Sequence, residues 1–294
     1  MPEKRNWREY NDRLVRRGEL YISLDFLDHW DEEVARMNEG KRGRPFKFPE
    51  RLMEFLAFLH VAFLPYRQME GFLRKLSEYI PKLEAADYTT ICKRLHRIQL
   101  DISLQDIPDD VIVAVDATGM KVSSRGDWMR HKWKVHRGWI KVHIVVDIKT
   151  KKLLALYVTD ERTGDGQLLP SLVEQAQRHT AGPVKQVLGD GAYDSKTNFN
   201  YLHGHNIEAV IKTRKSSSTR ARGSPARAAA VQERRTLGYN GWRDKHRYGQ
   251  RWMAESYFSG VKRMFGETVR AHSQEAMFQE VMTKFILYDT LMTR

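Results

Sequence analysis

One acidic residue in the last quarter of the chain lies between basic residues at helical spacing. Arg251 precedes Glu255 by four positions, Tyr248 precedes it by seven, and Lys262 follows it by seven. At 3.6 residues per turn, these four side chains lie on one face of a single helix. That face suits either a solvent-exposed Arg251–Glu255 ion pair, worth only a few tenths of a kcal/mol, or a metal-binding carboxylate flanked by cations that hold phosphate groups. The helix alone leaves both interpretations open.

Two more acidic residues stand where short apolar segments end. Residues 111–115 (VIVAV) form a β-branched run that predicts a buried strand ending at Asp116, and residues 184–188 predict another strand that ends beside Asp190. A carboxylate at the end of a buried strand is costly unless it is paired, hydrogen-bonded or bound to a metal. Asp116 and Asp190 are therefore the candidate partners of Glu255.

Two other aspartates in the same region have simpler explanations. Asp147 begins the sequence DIKTK, which predicts a turn between two strands. Asp194 precedes Ser195 and a segment compatible with a helix, so we predict that it caps the N-terminus of that helix. Neither aspartate is expected to bind a metal.

The pattern over residues 107–294 predicts an α/β domain. Three consecutive antiparallel strands are followed by helix, strand, helix and strand, then by the helix of Glu255 and by a last helix at 273–292 that closes the domain. This order predicts a ribonuclease-H-like mixed sheet flanked by helices. Residues 214–244 are rich in Ser, Arg, Gly and Ala and predict a mobile basic loop within that domain.

In a ribonuclease-H-like sheet the first and fourth strands are neighbours, and a later helix crosses their ends. Asp116, Asp190 and Glu255 would then converge. Carboxylates without His or Cys partners suit hard ions such as Mg²⁺ or Mn²⁺. Two such ions, roughly 3.5–4 Å apart, would activate an attacking oxygen and stabilise a leaving oxygen during displacement at phosphorus. The predicted chemistry is cleavage of a phosphodiester.

Residues 1–106 predict an all-helical domain. Within it, residues 66–99 contain two short helical segments around a break at Pro81, and Asp87 or Thr89 is placed to cap the second segment. This arrangement suits either a helix-turn-helix or an ordinary helical hairpin. In a helix-turn-helix the second helix enters the major groove of DNA and presents polar and basic side chains to it. Those side chains would be Tyr88, Thr89, Thr90, Lys93, Arg94 and Arg97.

The net charge of +13 is concentrated in two stretches. Residues 120–152 contain 10 Lys or Arg against 2 Asp or Glu, and residues 211–251 contain 12 against 2. Residues 1–110 are close to balanced, with 19 against 20. A local excess of this kind is typical of a surface that binds a polyanion such as DNA, and the alternative is a solvated basic face without a partner.

The remaining composition limits the class of protein. The single cysteine, Cys92, excludes an internal disulfide framework and a cysteine-based zinc cluster, which predicts a reducing compartment. The first residues lack the apolar core of a signal peptide. The most apolar run, residues 52–64, is short for a membrane span and contains Glu54 and His60. We therefore expect a buried helix there, no membrane partner and a cytoplasmic location.

Three motifs surround the candidate acids. They are VDATG around Asp116, LGDGAYDS around Asp190, and the spacing Tyr-x2-Arg-x3-Glu-x6-Lys, which is filled by Tyr248, Arg251, Glu255 and Lys262. Together they resemble the DDE transposases of bacterial and archaeal insertion sequences, most similar to insertion-sequence family five within the group of families four and five, which carries this Tyr-Arg-Glu-Lys signature.

The resemblance implies a transposase that cuts DNA at the ends of an insertion sequence and transfers the cut strand into target DNA. It implies that Asp116, Asp190 and Glu255 are catalytic and bind Mg²⁺ or Mn²⁺, with two ions expected. It also implies DNA contacts from Tyr248, Arg251 and Lys262. The implied partners are the terminal inverted repeats, the target DNA and a second protomer, in a homodimer or larger synaptic complex. The implied location is the prokaryotic cytoplasm, in association with the nucleoid.

Two other functions use the same residues. One is a metal-dependent DNA nuclease of the same fold that performs no strand transfer. The other is a DNA-binding protein descended from a transposase that is no longer catalytic. The presence of all three acids together with Tyr248, Arg251 and Lys262 favours the transposase over the second alternative.

Overall fold

The computed structural model describes residues 6–20, 23–102, 104–105, 107, 109–122 and 139–293. The chain divides into two compact units. One consists of Met1–Asp101 with His272–Arg294, and the other of Ile102–Ala271. We refer to them as the helical unit and the α/β unit.

The described elements follow one another from helices to strands and back to helices. In chain order, the helices are α1 (Trp7–Leu20), α2 (Trp30–Asn38), α3 (Glu50–Ala62), α4 (Tyr66–Ser77), α5 (Tyr88–Leu95), α6 (Leu169–Arg178), α7 (Lys196–Gly204), α8 (Pro225–Lys245), α9 (Trp252–Phe265) and α10 (Gln274–Thr293). The strands are β1 (Val111–Val122), β2 (Trp139–Asp147), β3 (Leu153–Thr159), β4 (Val184–Gly189), β5 (Glu208–Ile211) and β6 (Thr268–Val269). Short 3₁₀ turns lie at Asp25–Leu27, Asp165–Leu168, Gly191–Tyr193 and Tyr248–Arg251.

Helix α3 lies at the centre of the helical unit. Its residues Leu52, Met53 and Leu56 are fully buried, and it packs against α4, α5 and α10. The apolar run that contains α3 is therefore a buried helix, as the sequence predicted. Within the described residues, no helix is both long and apolar enough to cross a membrane.

The C-terminal helix α10 belongs to the helical unit, whereas the sequence pattern placed it in the domain of residues 107–294. Val281 and Phe285 of this helix are fully buried, and the Gln279 side chain donates a hydrogen bond to the carbonyl oxygen of Ile98 at 2.7 Å. Helical periodicity identifies an apolar face but not the layer that covers it. That is why the sequence showed the helix and not its place.

The sheet of the α/β unit has the strand order β3-β2-β1-β4-β5. Strand β2 pairs antiparallel with both β1 and β3, whereas β4 pairs parallel with β1 and β5 pairs parallel with β4. Strand β6 pairs parallel with the far end of β1. The predicted run of three antiparallel strands and the predicted neighbourhood of the first and fourth strands are both confirmed.

Side chains alternate between the two faces of the sheet, and helices pack against both faces. Val113 and Val115 of β1 point into a core that includes Leu172 and Val173 of α6 and residues of α7. Asp116 and Thr118 have the opposite parity and point to the face where α9 packs against β1 and β2. The α/β unit is a mixed sheet flanked by helices.

Strand β1 is longer than the sequence indicated. It extends through the DATG sequence to Val122, so Asp116 lies within a strand rather than at its end. Residues 115–120 are paired on one side only, because β2 pairs with β1 as far as Lys121, whereas β4 pairs with β1 no further than Ala114 and β6 pairs only with Lys121 and Val122. Asp116 therefore lies just past the end of β4, next to the point where the sheet narrows.

Residues 225–244 belong to helix α8, so the prediction of a mobile loop over them is wrong. Ser224 caps the helix by accepting a hydrogen bond from the Arg227 N–H, and Pro225 occupies the first turn. Both are strong helix-start signals. Gly238, with φ 66° and ψ 172°, kinks the helix near its middle. The arginine-rich composition obscured these local signals.

Candidate active site

Arg251 joins two of the three candidate acids. Its Nη1 donates a hydrogen bond to Oδ2 of Asp116 at 3.0 Å, and its Nη2 donates to Oε1 of Glu255. Asp116 comes from β1 and Glu255 from the first turn of α9, so a single guanidinium links the sheet to the helix that crosses it. The Arg251–Glu255 ion pair that the sequence suggested is present, and Asp116 is its third member.

Asp190 follows the last residue of the neighbouring strand β4. Its Oδ1 accepts a hydrogen bond from the backbone N–H of Ala192 at 2.8 Å, which holds the 3₁₀ turn that comes next. Strands β1 and β4 are adjacent and parallel, and their ladder ends at Ala114 and Leu188. Continued at the same register, Asp190 would face Asp116, so both acids lie at the narrowing edge of the sheet.

The pKa of Asp116 depends on the charges of both other candidate acids. Burial raises the pKa of Asp116 above its ordinary value, and the negative charges of Asp190 and Glu255 raise it further. The hydrogen bond from the Ala117 N–H and the charge of Arg251 lower the pKa without cancelling that rise. Burial is therefore the main reason that the Asp116 carboxylate ionises less readily, and Arg251 offsets it only in part.

Tyr193 lies beneath this site. Its ring is 1% exposed and its hydroxyl has no hydrogen-bond partner among the described residues. Burial raises the pKa of Tyr193 well above its ordinary value, and the charges of Asp116, Asp165 and Asp190 add to the rise. The 3₁₀ turn that carries Tyr193 thus places its ring in the apolar core, close enough to the acids for their charges to act on it.

Lys262 contributes a second cation on the same sheet face. Its Nζ donates a hydrogen bond to the Thr118 hydroxyl at 2.8 Å, two residues along β1 from Asp116. Burial lowers the pKa of Lys262, and the charge of Lys121 lowers it too, while Glu267 opposes that change. A half-buried ammonium beside a carboxylate site is suited to holding a phosphate group.

Tyr248 does not share the helical face of Glu255. Arg247 adopts a left-handed conformation with φ 50°, and residues 248–251 form a 3₁₀ turn, so helix α9 begins only at Trp252. The single continuous helix that the sequence predicted is interrupted here. The Tyr248 hydroxyl donates to the carbonyl oxygen of Gly189 at 3.2 Å, and burial raises the pKa of Tyr248 to about 12.

The two aspartates set aside by the sequence analysis are both structural. Asp147 accepts hydrogen bonds from the N–H and hydroxyl of Thr150, each at 2.6 Å, so the predicted turn role is confirmed. The predicted cap role of Asp194 is wrong, because Ser195 caps α7 instead. Asp194 is buried and paired with Arg227 through two hydrogen bonds, at 2.7 and 3.0 Å.

The side chains predicted to contact DNA from α5 divide into two groups. Asp87 caps the helix as predicted, and Thr89, Lys93 and Arg97 are exposed. Arg94 instead pairs with Glu50 and donates to the carbonyl oxygen of Phe48 within the helical unit. Arg94 pairs inside the unit because it directly precedes the buried Leu95 and lies on the side of α5 that faces α3.

Several residues of the site were not identified from the sequence. Thr118 was detectable, because alternation along β1 places it on the same face as Asp116. The role of Gly119 depends on a long-range contact: a Cβ there would lie 2.3 Å from a ring carbon of Trp139. Residues 123–138 of the first basic stretch lie outside the described residues.

The donor set suits a hard divalent cation. The candidate donors are carboxylate oxygens, and a positive group, the Arg251 guanidinium, already stands between two of them. In the described part of the chain, no three His, Cys, Asp or Glu side chains form a ready-made metal site. Asp116, Asp190 and Glu255 are the residues that could hold an ion if Arg251 changed partners.

Two models described as a transposase DDE domain match residues 107–289 and 15–125. The chain also resembles a chain of the cryo-EM structure of the piggyBac transposase synaptic complex with hairpin DNA, at 9% identity and TM-score 0.40, over 96% of this chain and 74% of that one. A chain of the simian T-cell lymphotropic virus intasome in complex with the PP2A regulatory subunit B56 gamma matches at 14% identity and TM-score 0.26, over 73% of each chain. Since the first family model alone spans more than half of the residues, this chain belongs to the transposases with a DDE domain.

Proposed function

We propose that the chain is an insertion-sequence transposase, of the type of family five, that cuts DNA at the element ends and joins the cut strand to target DNA. The observation that carries the proposal is the sharing of Arg251 by Asp116 and Glu255, next to Asp190 on the adjacent strand. This arrangement lies inside the segment that matches the DDE domain.

The proposed fold of the α/β unit is ribonuclease-H-like. Its support is the strand order β3-β2-β1-β4-β5, with three antiparallel strands followed by two parallel ones. In this arrangement β1 is central and extends past the end of β4.

Asp116, Asp190 and Glu255 are the proposed ligands of Mg²⁺ or Mn²⁺, with two ions expected. Bound ions of this kind activate an attacking oxygen and stabilise a leaving oxygen. The chain itself contributes the carboxylate oxygens and the low-polarity surroundings that strengthen their hold on cations. Glu255 is exposed, so its side chain has room to turn from Arg251 toward a new partner.

The reaction has two displacements at phosphorus. In the first, a water molecule loses a proton and its oxygen bonds to phosphorus at the element end, while the bond to the 3′ oxygen breaks and that oxygen gains a proton. In the second, the freed 3′ hydroxyl loses its proton and its oxygen bonds to a target phosphorus, while the target 3′ oxygen leaves that phosphorus and gains a proton. The protein supplies position and charge in both steps.

Arg251 and Lys262 are the proposed phosphate contacts beside the cut. Both cations reach the face of β1 that carries Asp116. Arg251 offers a planar fork suited to two phosphate oxygens, and Lys262 offers a point charge. The exposed residues Thr89 and Lys93 of α5, and Arg97 just after that helix, are proposed to bind the terminal inverted repeats.

The proposed assembly on DNA is a homodimer or a larger synaptic complex. A transposase must hold two element ends and one target together, and one catalytic site per end satisfies that geometry. The net charge of +13 supports the binding of several DNA segments.

The test of the proposal compares the wild type with Glu255→Gln on labelled element ends and a plasmid target. We expect Mg²⁺-dependent cleavage and joined products from the wild type, and neither from the variant. End binding should survive in both, because Gln retains the shape of Glu. If Glu255→Gln cuts as fast as the wild type, the assignment of the acids is wrong. If the wild type cuts without joining, the protein is a nuclease of the same fold.

A further inference from the structure

Tyr248 differs from Arg251 and Lys262 in the direction of its polar group. The two cations reach the face of β1 that carries Asp116. Tyr248 is 6% exposed, and its ring packs against Trp242 with centroids 4.8 Å apart. Its hydroxyl donates inward, to the carbonyl oxygen of Gly189, and it also lies within hydrogen-bonding reach of the Arg251 side chain. A phosphate contact from Tyr248 would require this buried ring to leave its packing and its hydrogen bond.

The backbone explains this orientation. Arg247 has a positive φ of 50°, which turns the chain between α8 and the 3₁₀ turn that begins at Tyr248. Non-glycine residues occupy that region only when surrounding contacts support it. The contacts here are the ring of Trp242 and the carbonyl oxygen of Gly189.

Gly189 is the residue through which Tyr248 reaches the candidate active site. It ends β4, and its carbonyl group belongs to the same planar peptide as the nitrogen of Asp190. The Lys212 N–H donates to the same oxygen, at 3.2 Å. A Cβ on Gly189 would lie 3.2 Å from Cγ2 of Val115 and 3.3 Å from Cδ2 of Tyr193, so this peptide fits tightly.

We infer that Tyr248 is a positioning residue for Asp190 and not a phosphate ligand. Its hydroxyl fixes the plane of the Gly189–Asp190 peptide and, with it, the direction from which the Asp190 carboxylate enters the site. The inference rests on the proposed function, because it assigns Tyr248 to the cation-binding side of that site and leaves the DNA side to Arg251 and Lys262.

The test uses Tyr248→Phe, which keeps the ring and removes only the hydroxyl. Tyr239→Phe is the matched control, because Tyr239 is 43% exposed and lies outside the proposed catalytic and DNA-binding residues. Mn²⁺ binding is measured on the full chain without DNA by electron paramagnetic resonance. End binding is measured separately without metal, over a series of salt concentrations.

We expect Tyr248→Phe to weaken Mn²⁺ binding by roughly three- to tenfold, the usual effect of losing one hydrogen bond. Affinity for DNA ends and its salt slope should equal those of the wild type. Tyr239→Phe should change neither quantity. A phosphate ligand would give the opposite result, with weaker end binding and unchanged Mn²⁺ binding, and that result overturns the inference.

A second variant, Gly189→Ala, perturbs the Gly189–Asp190 peptide directly. Gly189→Ala displaces the carbonyl by crowding Val115 and Tyr193 and should also weaken Mn²⁺ binding. Combined with Tyr248→Phe it should add little, because both act through one peptide. Fully additive losses overturn the inference. If the wild type binds Mn²⁺ and cuts DNA, and Tyr248→Phe binds Mn²⁺ equally well, only the inference about Tyr248 is overturned. If the wild type neither binds Mn²⁺ nor cuts DNA, the proposed function is overturned as well.

Discussion

Two Asp–Arg pairs in the α/β unit differ in how completely the aspartate is hydrogen-bonded. Asp194 is paired with Arg227 through two hydrogen bonds and also accepts from the Arg214 N–H and the Ser217 hydroxyl. Its side chain is fully buried. Asp116 receives one hydrogen bond from Arg251, at 3.0 Å, and shares that arginine with another carboxylate.

The pKa of Asp194 is lowered, whereas the pKa of Asp116 is raised. Burial opposes the charge of Asp194, yet the hydrogen bonds from Arg227 and from the Arg214 N–H hold its pKa below the ordinary value. At Asp116 burial prevails and the pKa is raised. The first pair is complete and structural. In the second pair Arg251 offsets the burial of Asp116 only in part, and a divalent cation under the proposed function would stabilise the carboxylate further.

The largest expected effect is that of Asp116→Asn on cleavage. Loss of a proposed metal ligand should slow cutting of element ends by roughly three orders of magnitude or more. The same change should leave the metal-free protein as stable as the wild type or more stable. Because the folded-state pKa of Asp116 is raised, the folded protein favours its protonated form, and this contribution to stability is lost as pH rises through that pKa.

The variant should therefore gain stability relative to the wild type between pH 4 and pH 8, as measured by thermal melting without metal. Asp109→Asn, at an exposed carboxylate paired with Lys149, is the control that should change neither cleavage nor melting. A large drop in melting temperature for Asp116→Asn at pH 8 would show that the two pairs are alike.

Arg227→Met should have the second largest effect, and on stability rather than on chemistry. Removing one partner of a buried pair leaves Asp194 uncompensated, which costs about 3 kcal/mol of unfolding free energy. Denaturant titration at pH 7 measures this loss. Because the pKa of Asp194 is lowered, the stabilisation is present above the ordinary carboxyl range and is lost as pH falls through the folded-state pKa. A loss that is the same at pH 7 and at low pH would contradict this account of the pair.

Arg251→Lys tests the Asp116–Arg251 pair in the same way, through its arginine. Lysine retains the charge but cannot bridge Asp116 and Glu255 with a planar fork. We expect roughly a tenfold fall in cleavage rate with little change in unfolding free energy, because this pair contributes to the site more than to the fold. Denaturant titration and single-turnover cleavage distinguish the two. A loss of stability equal to that of Arg227→Met would place both pairs in the structural class.

The smallest expected effect belongs to the exposed face of α5. Lys93→Gln should weaken end binding a few-fold and reduce the slope of log affinity against log salt by about 1. Arg94→Gln is the matched control on the same helix. It should leave that slope unchanged and lower stability instead, since Arg94 pairs with Glu50. Equal slopes for Lys93→Gln and the wild type would remove α5 from the proposed DNA interface.

The sequence predicted the parts of the site that depend on short-range patterns. Apolar runs located β1 and β4, and helical spacing located Arg251 beside Glu255. The contacts that distinguish the two pairs are long-range: Asp194 and Arg227 are 33 residues apart, and Arg251 and Asp116 are 135 apart. The position of Tyr248 depended on the left-handed turn at Arg247, which an arginine does not signal.

Mn²⁺ binding to the DNA-free protein tests the central claim most directly, because it asks whether Asp116, Asp190 and Glu255 form a cation site. Calorimetry would compare the wild type with Asp116→Asn, Asp190→Asn, Glu255→Gln and the control Asp109→Asn. The account predicts binding by the wild type and Asp109→Asn, and strong loss in each of the other three variants. Equal binding by all five proteins, or by none, would contradict it.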